Sequence, residues 1–332
     1  MAEYINIKGQ NIEVVASDPA NPTQGQIWYN STSNTLKGEG YAAGAWASGG
    51  NMANVAIGRQ GFGTQTAAVA AGLYGPSPTV QGTTEEYNGA TWSSGGTLGT
   101  ARYAAGGSGT LTAGLCVGGD SITGSPRYGT QVEEYDGTTW TGGGAAPTGK
   151  SYSATFGTQT ATLSTGAPTS SPNTITILYD GSAWTTSPAS ISLATGARNG
   201  FGIQTSGITC GGQAGPTYYN TTEDWNGTVW TSGGNLTVAR RAHGASGTSE
   251  SSGIAFGGEV AGSPGRTAAT EEYNGTSWSS TTNMTSGRSK IGSCGTLSAG
   301  LGFGGYNPTP AVSNTTEEWT GAGPVTKTIT AS

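Results

Sequence analysis

The sequence predicts an all-β fold, a propeller of six four-stranded blades with seven as the alternative count, and three observations carry that prediction. The first is a repeat. Val132-Glu133-Glu134-Tyr135-Asp136-Gly137-Thr138-Thr139-Trp140 recurs as Thr84–Trp92 and Thr270–Trp278, more loosely as Ile177–Trp184 and Glu223–Trp230, and without its closing Trp as Thr316–Trp319. The closing Trp residues stand at 46, 92, 140, 184, 230 and 278, in steps of 46, 48, 44, 46 and 48 residues. A fixed period in this range means one supersecondary unit stacked on copies of itself. The second is composition: Gly, Thr, Ser and regularly spaced aromatics disfavour helix and suit short strands joined by tight turns. The third is the Asn-Gly or Asp-Gly pair ahead of the closing Trp, which fits a two-residue hairpin because both central residues must take φ > 0.

Residues 1–45 precede the repeat. Ile5, Ile7, Ile12, Val14 and Val15 alternate as in short strands. Asp18–Gly25 is turn-rich, and Gln26–Asn30 with Asn34–Lys37 reads as a hairpin. From Trp46 onward each unit has the same parts. A Gly-rich turn leads to one basic residue: Arg59, Arg102, Lys150, Arg198, Arg240 or Arg288. A strand then runs into a Gly-Thr turn, an apolar strand usually ends in Gly-Gly, and a variable loop leads to the Glu-Glu-Tyr strand and the Trp strand. Four antiparallel strands in about 46 residues make a propeller blade. The last blade lacks an outer strand after Trp319. Either the tail Val325–Thr330 or the strand around Trp46 could supply it and remove an open edge.

The 332 residues include 60 Gly without a Gly-X-Y period, which excludes collagen. A formal net charge of −6 and the lack of a basic run speak against nucleic acid as a partner. No apolar run is long enough to insert in a membrane, and the start lacks the basic and apolar regions of a signal peptide. Cys116, Cys210 and Cys294, odd in number and in different units, read as small buried apolar residues rather than a disulfide framework.

An Arg, a Gly-Gly after an apolar strand, then Tyr and Trp at fixed offsets, as in Arg102…Gly118-Gly119…Tyr135…Trp140, resembles the kelch repeat. The resemblance covers residues 46 to about 320 and implies a kelch-like β-propeller. Unit one departs from it with only Gly75 and unit three with only Gly166, while Trp225 and Trp319 replace the Tyr of units four and six. A second stretch, Pro22-Thr23-Gln24-Gly25-Gln26-Ile27-Trp28-Tyr29-Asn30-Ser31, is similar to the N-terminus of structural proteins of marine tailed bacteriophages.

Little in the sequence can carry chemistry. His243 is the only histidine, so a histidine-based metal cluster, and a copper site like that of galactose oxidase, are not expected. The Trp-strand turn superficially resembles the sialidase Asp-box, but Asp136 and Gly137 are adjacent where that motif separates them. Paired glutamates suggest glycoside hydrolysis, yet neighbours on a strand point to opposite faces, and their recurrence marks architecture. Unit three alone has Lys in place of Arg and Ile177-Leu178 in place of the acid pair. Each Arg is therefore expected to pair with an acid of its own unit, Arg102 with Glu133 or Glu134 and Arg288 with Glu317 or Glu318, leaving Lys150 without one. The competing reading is a ring of six cations binding an anion on the axis. The closing Trp residues and the Tyr or Trp before them are expected as largely buried core between blades.

The expectation is thus two parts, a β arm over residues 1–45 that attaches through Ile5, Ile7, Ile27 and Trp28, and a kelch-like β-propeller over residues 46–332. The implied function is that of a non-enzymatic phage virion protein without cofactor or metal. It would be present in multiple copies on tail, collar, fibre or capsid, and bound to other virion proteins through residues 1–45. Variable loops bearing Arg127, Tyr128, Tyr218, Tyr219 and Tyr306 would face a host-surface glycan or protein. The alternatives are a free kelch-like protein-binding module and a propeller enzyme acting on glycans. The arm is expected to have too few strands for a core of its own.

Overall fold

The structure is a computed structural model that describes residues 12–76, 79–121, 128–166, 173–262, 265–308 and 311–329. Its regular elements are all strands, with no helix among the described residues. They fall into two compact units, Ala45–Thr320 and a smaller one of Met1–Gly44 with Gly321–Ser332.

The larger unit holds six four-stranded antiparallel sheets, an arrangement compatible with a β-propeller. The first combines Gln60–Thr64, Ala67–Tyr74, Val80–Tyr87 and Trp92–Ser94. The next four, one per repeat, follow the same order. In the sixth, Gly292–Gly295, Ala299–Phe303 and Thr316–Thr320 are completed by Ala45–Ser48, whose Trp46 faces Trp319. The strand around Trp46, not the C-terminal tail, fills the outer position.

The leading strands of successive sheets, which begin at Gln60, Gly106, Ala154, Asn199, Gly244 and Gly292, neighbour one another in cyclic order, the sixth against the first. Just ahead of each lies a residue in the left-handed region: Gly58, Ala104, Tyr152, Ala197, Ala242 and Lys290, with φ between 49° and 65°. Their peptides form a closed cycle of hydrogen bonds. Ala104 N–H donates to Gly58 O, and the pattern continues through Tyr152, Ala197, Ala242 and Lys290 until Gly58 N–H donates to Lys290 O, over 2.6–3.2 Å. Five of these six residues are not glycine, a conformation that costs of order 1–3 kcal/mol each and persists only where surroundings enforce it. The cycle of hydrogen bonds does so.

The core lies between sheets, in six clusters that each draw on two neighbours. One joins Met52, from the loop ahead of the first sheet, with Ala68, Ala70 and Tyr87 of that sheet and Cys294, Leu301 and Phe303 of the sixth. All three cysteines are free and buried. The first-unit glycine of the Gly-Gly position is Gly72, not Gly75. Its φ of 62° matches the 66° of Gly118, and a Cβ there would meet Arg102 O at 2.2 Å, as one on Gly118 would meet Lys150 O at 2.1 Å. A bulge between Ala71 and Leu73 disguises the position in the sequence.

The closing Trp residues are largely buried between neighbouring sheets, as expected: Trp278 fully, and Trp46, Trp92, Trp140, Trp184 and Trp230 in part, each packed against one of the clusters from the outermost strand of its sheet. The fully buried rings are those they stack on, Tyr87, Tyr135, Tyr179, Trp225, Tyr273 and Trp319, with centroids 4.7–5.4 Å apart.

Five closing Trp residues donate Nε1–H to a threonine of the preceding sheet: Trp46 to Thr270, Trp92 to Thr316, Trp140 to Thr84, Trp230 to Thr176 and Trp278 to Thr222. At the sixth position Val132 stands where the others have threonine, and Trp184 Nε1 is buried without a partner. An unmet buried donor costs more than a made hydrogen bond returns. Val132→Thr is therefore expected to raise stability by about 1 kcal/mol, read as a higher urea midpoint at unchanged m-value. A lower midpoint would mean that the lost methyl packing outweighs the bond.

In the smaller unit Glu13–Val15 runs parallel to Ile27–Asn30, which pairs with Thr35–Ala42, which pairs with Gly323–Thr328. Among the described residues none of the six buried apolar clusters lies in this unit, as expected for an arm with few strands. The strand after the repeat brings the count to four, a pairing invisible in the sequence because about 280 residues intervene. Trp28 is fully buried, and its Nε1–H, the Asn30 amide and the Lys37 ammonium converge on the Asp18 carboxylate at 3.0, 2.7 and 2.6 Å. These bonds, Lys37 first, hold Asp18 down at about 2. Ile27 is half-buried, Ile12, Val14 and Ile329 are exposed, and Ile5 and Ile7 lie outside the described residues.

Candidate functional site

The basic series is placed by the turn that enters each leading strand, and it meets the first acid of the Glu-Glu strand in its own sheet. Arg59 pairs with Glu85 at 2.7 Å, Arg102 with Glu133 at 3.0 Å, Arg198 with Glu223 at 3.2 Å, Arg240 with Glu271 at 2.5 Å and Arg288 with Glu317 at 2.7 Å. Both partners are buried in every pair. The second oxygen of the acid accepts a backbone N–H from the loop ahead of the Arg, from Ala53, Gly99, Ser192, Thr237 and Thr285 in turn. Each carboxylate thus fastens a loop as well as a guanidinium. Burial lowers the pKa of Arg59, Arg198, Arg240 and Arg288, with the facing glutamate opposing it. The ring of six free cations is set aside, because charges neutralised in this way attract no anion.

Lys150 departs as expected. Its Nζ donates to Gly166 O at 2.8 Å and Ile175 O at 2.9 Å, the carbonyl positions that Arg288 reaches at Gly304 and Thr315. Ile177 stands where a carboxylate would be. With burial unopposed, the ammonium is pushed down to about 7. The unfolded chain, whose lysine titrates at the ordinary 10.5, then binds more protons above pH 7, so this residue's contribution to stability rises with pH from about 7. Above about pH 9 the Cys210 and Cys294 thiols, pushed up to about 12 by burial, oppose it, since the unfolded chain ionises first. Urea midpoints at pH 7 and pH 9 are expected to rise more in the wild type than in Lys150→Met. Equal slopes would show that Lys150 is not desolvated.

The second acid points to the neighbouring sheet. Tyr87 donates to Glu318, Tyr135 to Glu86, Tyr179 to Glu134 at 2.6 Å, and Tyr273 to Asp224 at 3.2 Å. Where the acceptor is Leu178, the donor has become Trp225, which packs in an apolar cluster beside it and turns its Nε1–H to Gln204 O. Where Trp319 replaces the donor, Glu272 Oε1 is left buried without a partner. Sequence reading found the Arg–acid pairs but missed these links, whose only signal was the joint change at Leu178 and Trp225.

Cys210 Sγ lies 3.4 Å from His243 Nε2. Burial pushes the thiol up to about 12 and the imidazole down to about 3, the latter with help from Arg240 and Arg198. Both are neutral at pH 7, the opposite of the thiolate and imidazolium that a nucleophilic cysteine uses. The acid pairs are likewise divided between Arg and Tyr, and no metal-holding cluster of His, Cys, Asp or Glu occurs among the described residues.

The loop residues lie on the larger unit. Tyr218 donates to Glu259 at 3.0 Å beneath the Arg241 guanidinium, and Arg241 pairs with Glu259 at 2.8 Å. Tyr306 lies under Arg266, 4.4 Å from its ring centre. Tyr128 is half-buried and bridges to Asp120, Tyr219 is half-buried, and Arg127 lies outside the described residues. No known family model matches the chain, and no curated protein matches it.

Proposed function

We propose that this chain is a non-enzymatic virion protein of a tailed phage, a six-bladed kelch-like propeller carried on the particle by its smaller unit. The observation that carries the reading is that smaller unit. It is a sheet of its own, built from the segments flanking the repeat, and it leaves Ile12, Val14 and Ile329 uncovered, with Val14 67% exposed. Apolar side chains left in the open on and beside the outer strand of a sheet suit addition to another subunit's sheet. The phage-like stretch Pro22–Ser31 lies in this same unit, with Trp28 and Asn30 locked by Asp18. In this reading the half-buried tyrosines of the loops, braced by Arg241 and Arg266, offer a firm surface for a host glycan or protein.

The test separates the two units. Removing residues 1–44 and 321–332 together leaves Ala45–Ser48 to complete the sixth sheet. The remainder is expected to keep a cooperative melt and to vanish from purified particles by mass spectrometry, whereas the full chain is found in them. Normal incorporation of the shortened protein would move the attachment site onto the repeat, and absence of the full chain from particles would end the virion reading.

A further inference from the structure

Four Asn-Gly bonds occur in the chain, at Asn88, Asn199, Asn226 and Asn274, and the structure divides them three to one. Asn88, Asn226 and Asn274 are exposed, in the turns that lead to the closing Trp strands of the first, fourth and fifth sheets. In each turn the asparagine Oδ1 accepts the backbone N–H groups of the two residues after the glycine. These are Ala90 and Thr91 at 2.9 and 2.8 Å, Thr228 and Val229 both at 3.0 Å, and Thr276 and Ser277 both at 2.9 Å. Among the described residues neither the asparagine Nδ2 nor the N–H of Gly89, Gly227 or Gly275 has a partner, so both face water. Asn199 is held differently. It opens the strand Asn199–Ile203, its Nδ2 donates to His243 O at 2.8 Å, and the buried Gly200 donates its N–H to Asn199 Oδ1 at 2.8 Å.

That difference bears on the chemistry of an asparagine followed by glycine. The glycine nitrogen, with no Cβ beside it to block approach, gives its proton to hydroxide and bonds to the asparagine Cγ. Negative charge develops on Oδ1, where in the three turns two N–H groups already point. Nδ2 takes a proton from water and leaves as ammonia, closing a five-membered succinimide. Water then opens the ring at Cγ to give aspartate, or at the main-chain carbonyl carbon to give isoaspartate. One water is consumed and one ammonia released, with no oxidation or reduction. The remaining two turns show that an anion is held at this position. Asp136 and Asp180 accept the same pair of N–H groups at 2.7–2.9 Å. Those donors, Thr139 foremost in one turn and Ala183 in the other, keep both carboxyls below the usual range. At Asn199 both the nucleophile and the leaving group are engaged.

We infer that Asn88, Asn226 and Asn274 are sites of spontaneous deamidation in the folded protein, and that Asn199 is spared. Complete conversion takes the formal net charge from −6 to −9, one charge at each of three sites. The aspartate product needs no rebuilding of the turn, because Asp136 and Asp180 already occupy it. None of this depends on attachment to a particle.

The experiment incubates the full chain at mildly alkaline pH, once folded and once unfolded in urea, and follows both by peptide mapping with mass spectrometry and by isoelectric focusing. The folded chain is expected to gain three acidic species in succession. Asn88, Asn226 and Asn274 should convert at least about tenfold faster than Asn199, well within the roughly 10²-fold or more that one oxyanion donor contributes. In urea that difference should disappear, since all four sites share the same residue pair. Asn88→Asp should start one charge more acidic and gain only two further species. Conversion of the three turn sites in urea but not in the folded chain would overturn the inference and show that the turns protect their asparagines. So would conversion of Asn199 in the folded chain as fast as the other three. Both decisive comparisons use the wild type, so the inference does not depend on whether a variant folds.

Discussion

Replacing Glu317 by isoleucine is expected to cost about 3–5 kcal/mol of folding stability, the usual result of leaving one member of a buried ion pair alone. Arg288 is fully buried, and an Arg cannot shed its proton to escape that cost. Its remaining acceptors are the carbonyls of Gly304 and Thr315, which also suffice for a lysine, as Lys150 demonstrates with Gly166 and Ile175. The double variant Arg288→Lys with Glu317→Ile recreates the arrangement of the third sheet and is expected to recover most of the loss. The coupling between the two sites, read from urea midpoints of all four proteins, should be of the order of 2 kcal/mol or more. Additive effects would mean that the carboxylate acts through the Thr285 loop it fastens rather than through Arg288.

Trp225 and Trp230 pack against each other across one sheet, 5.1 Å between ring centres, yet their removal should differ. Trp225 is 1% exposed, packs with Phe156 and Leu163, and donates to Gln204 O at 2.7 Å. Trp225→Ala is expected to cost about 3–5 kcal/mol, as for other large core aromatics. Trp230 is only partly buried at the edge of that cluster, so Trp230→Ala should cost less, about 2–3 kcal/mol, in proportion to the smaller apolar area it hides. Equal losses in chemical denaturation would show that the outer tryptophans are as much core as the inner ring.

That contrast marks the limit of what sequence alone could deliver here. The Trp spacing, the Asn-Gly turns and the joint change at Lys150 and Ile177 lie within single units, so the sheets and the Arg–acid pairs could be read along the chain. The Tyr–acid links join different units, and seeing them requires knowing which sheets are neighbours. Leu178 and Trp225 change together, but 47 positions apart they look like two unrelated departures. Asp18 gave no signal at all, because its three donors, Trp28, Asn30 and Lys37, reach it only after a hairpin forms. The cycle of left-handed residues was equally hidden, because it exists only once six separated turns are brought together.

The strand that completes the sixth sheet sets the timetable of the protein's own synthesis. Ala45–Ser48 leaves the ribosome before any sheet of the repeat exists, while its partner Thr316–Thr320 emerges about 270 residues later. At about 5–20 residues per second, the early strand waits roughly 15–50 s with unpaired main chain and an uncovered Trp46. The intervening sheets can form one by one as they appear, since their pairings are local. The cycle of hydrogen bonds through Gly58 and Lys290 cannot close until nearly the whole repeat has been made. A chain that stalls in that interval presents an open sheet edge and an exposed aromatic to other nascent copies. The step most open to misassembly is thus the joining of the two ends of the repeat, and it is reached last.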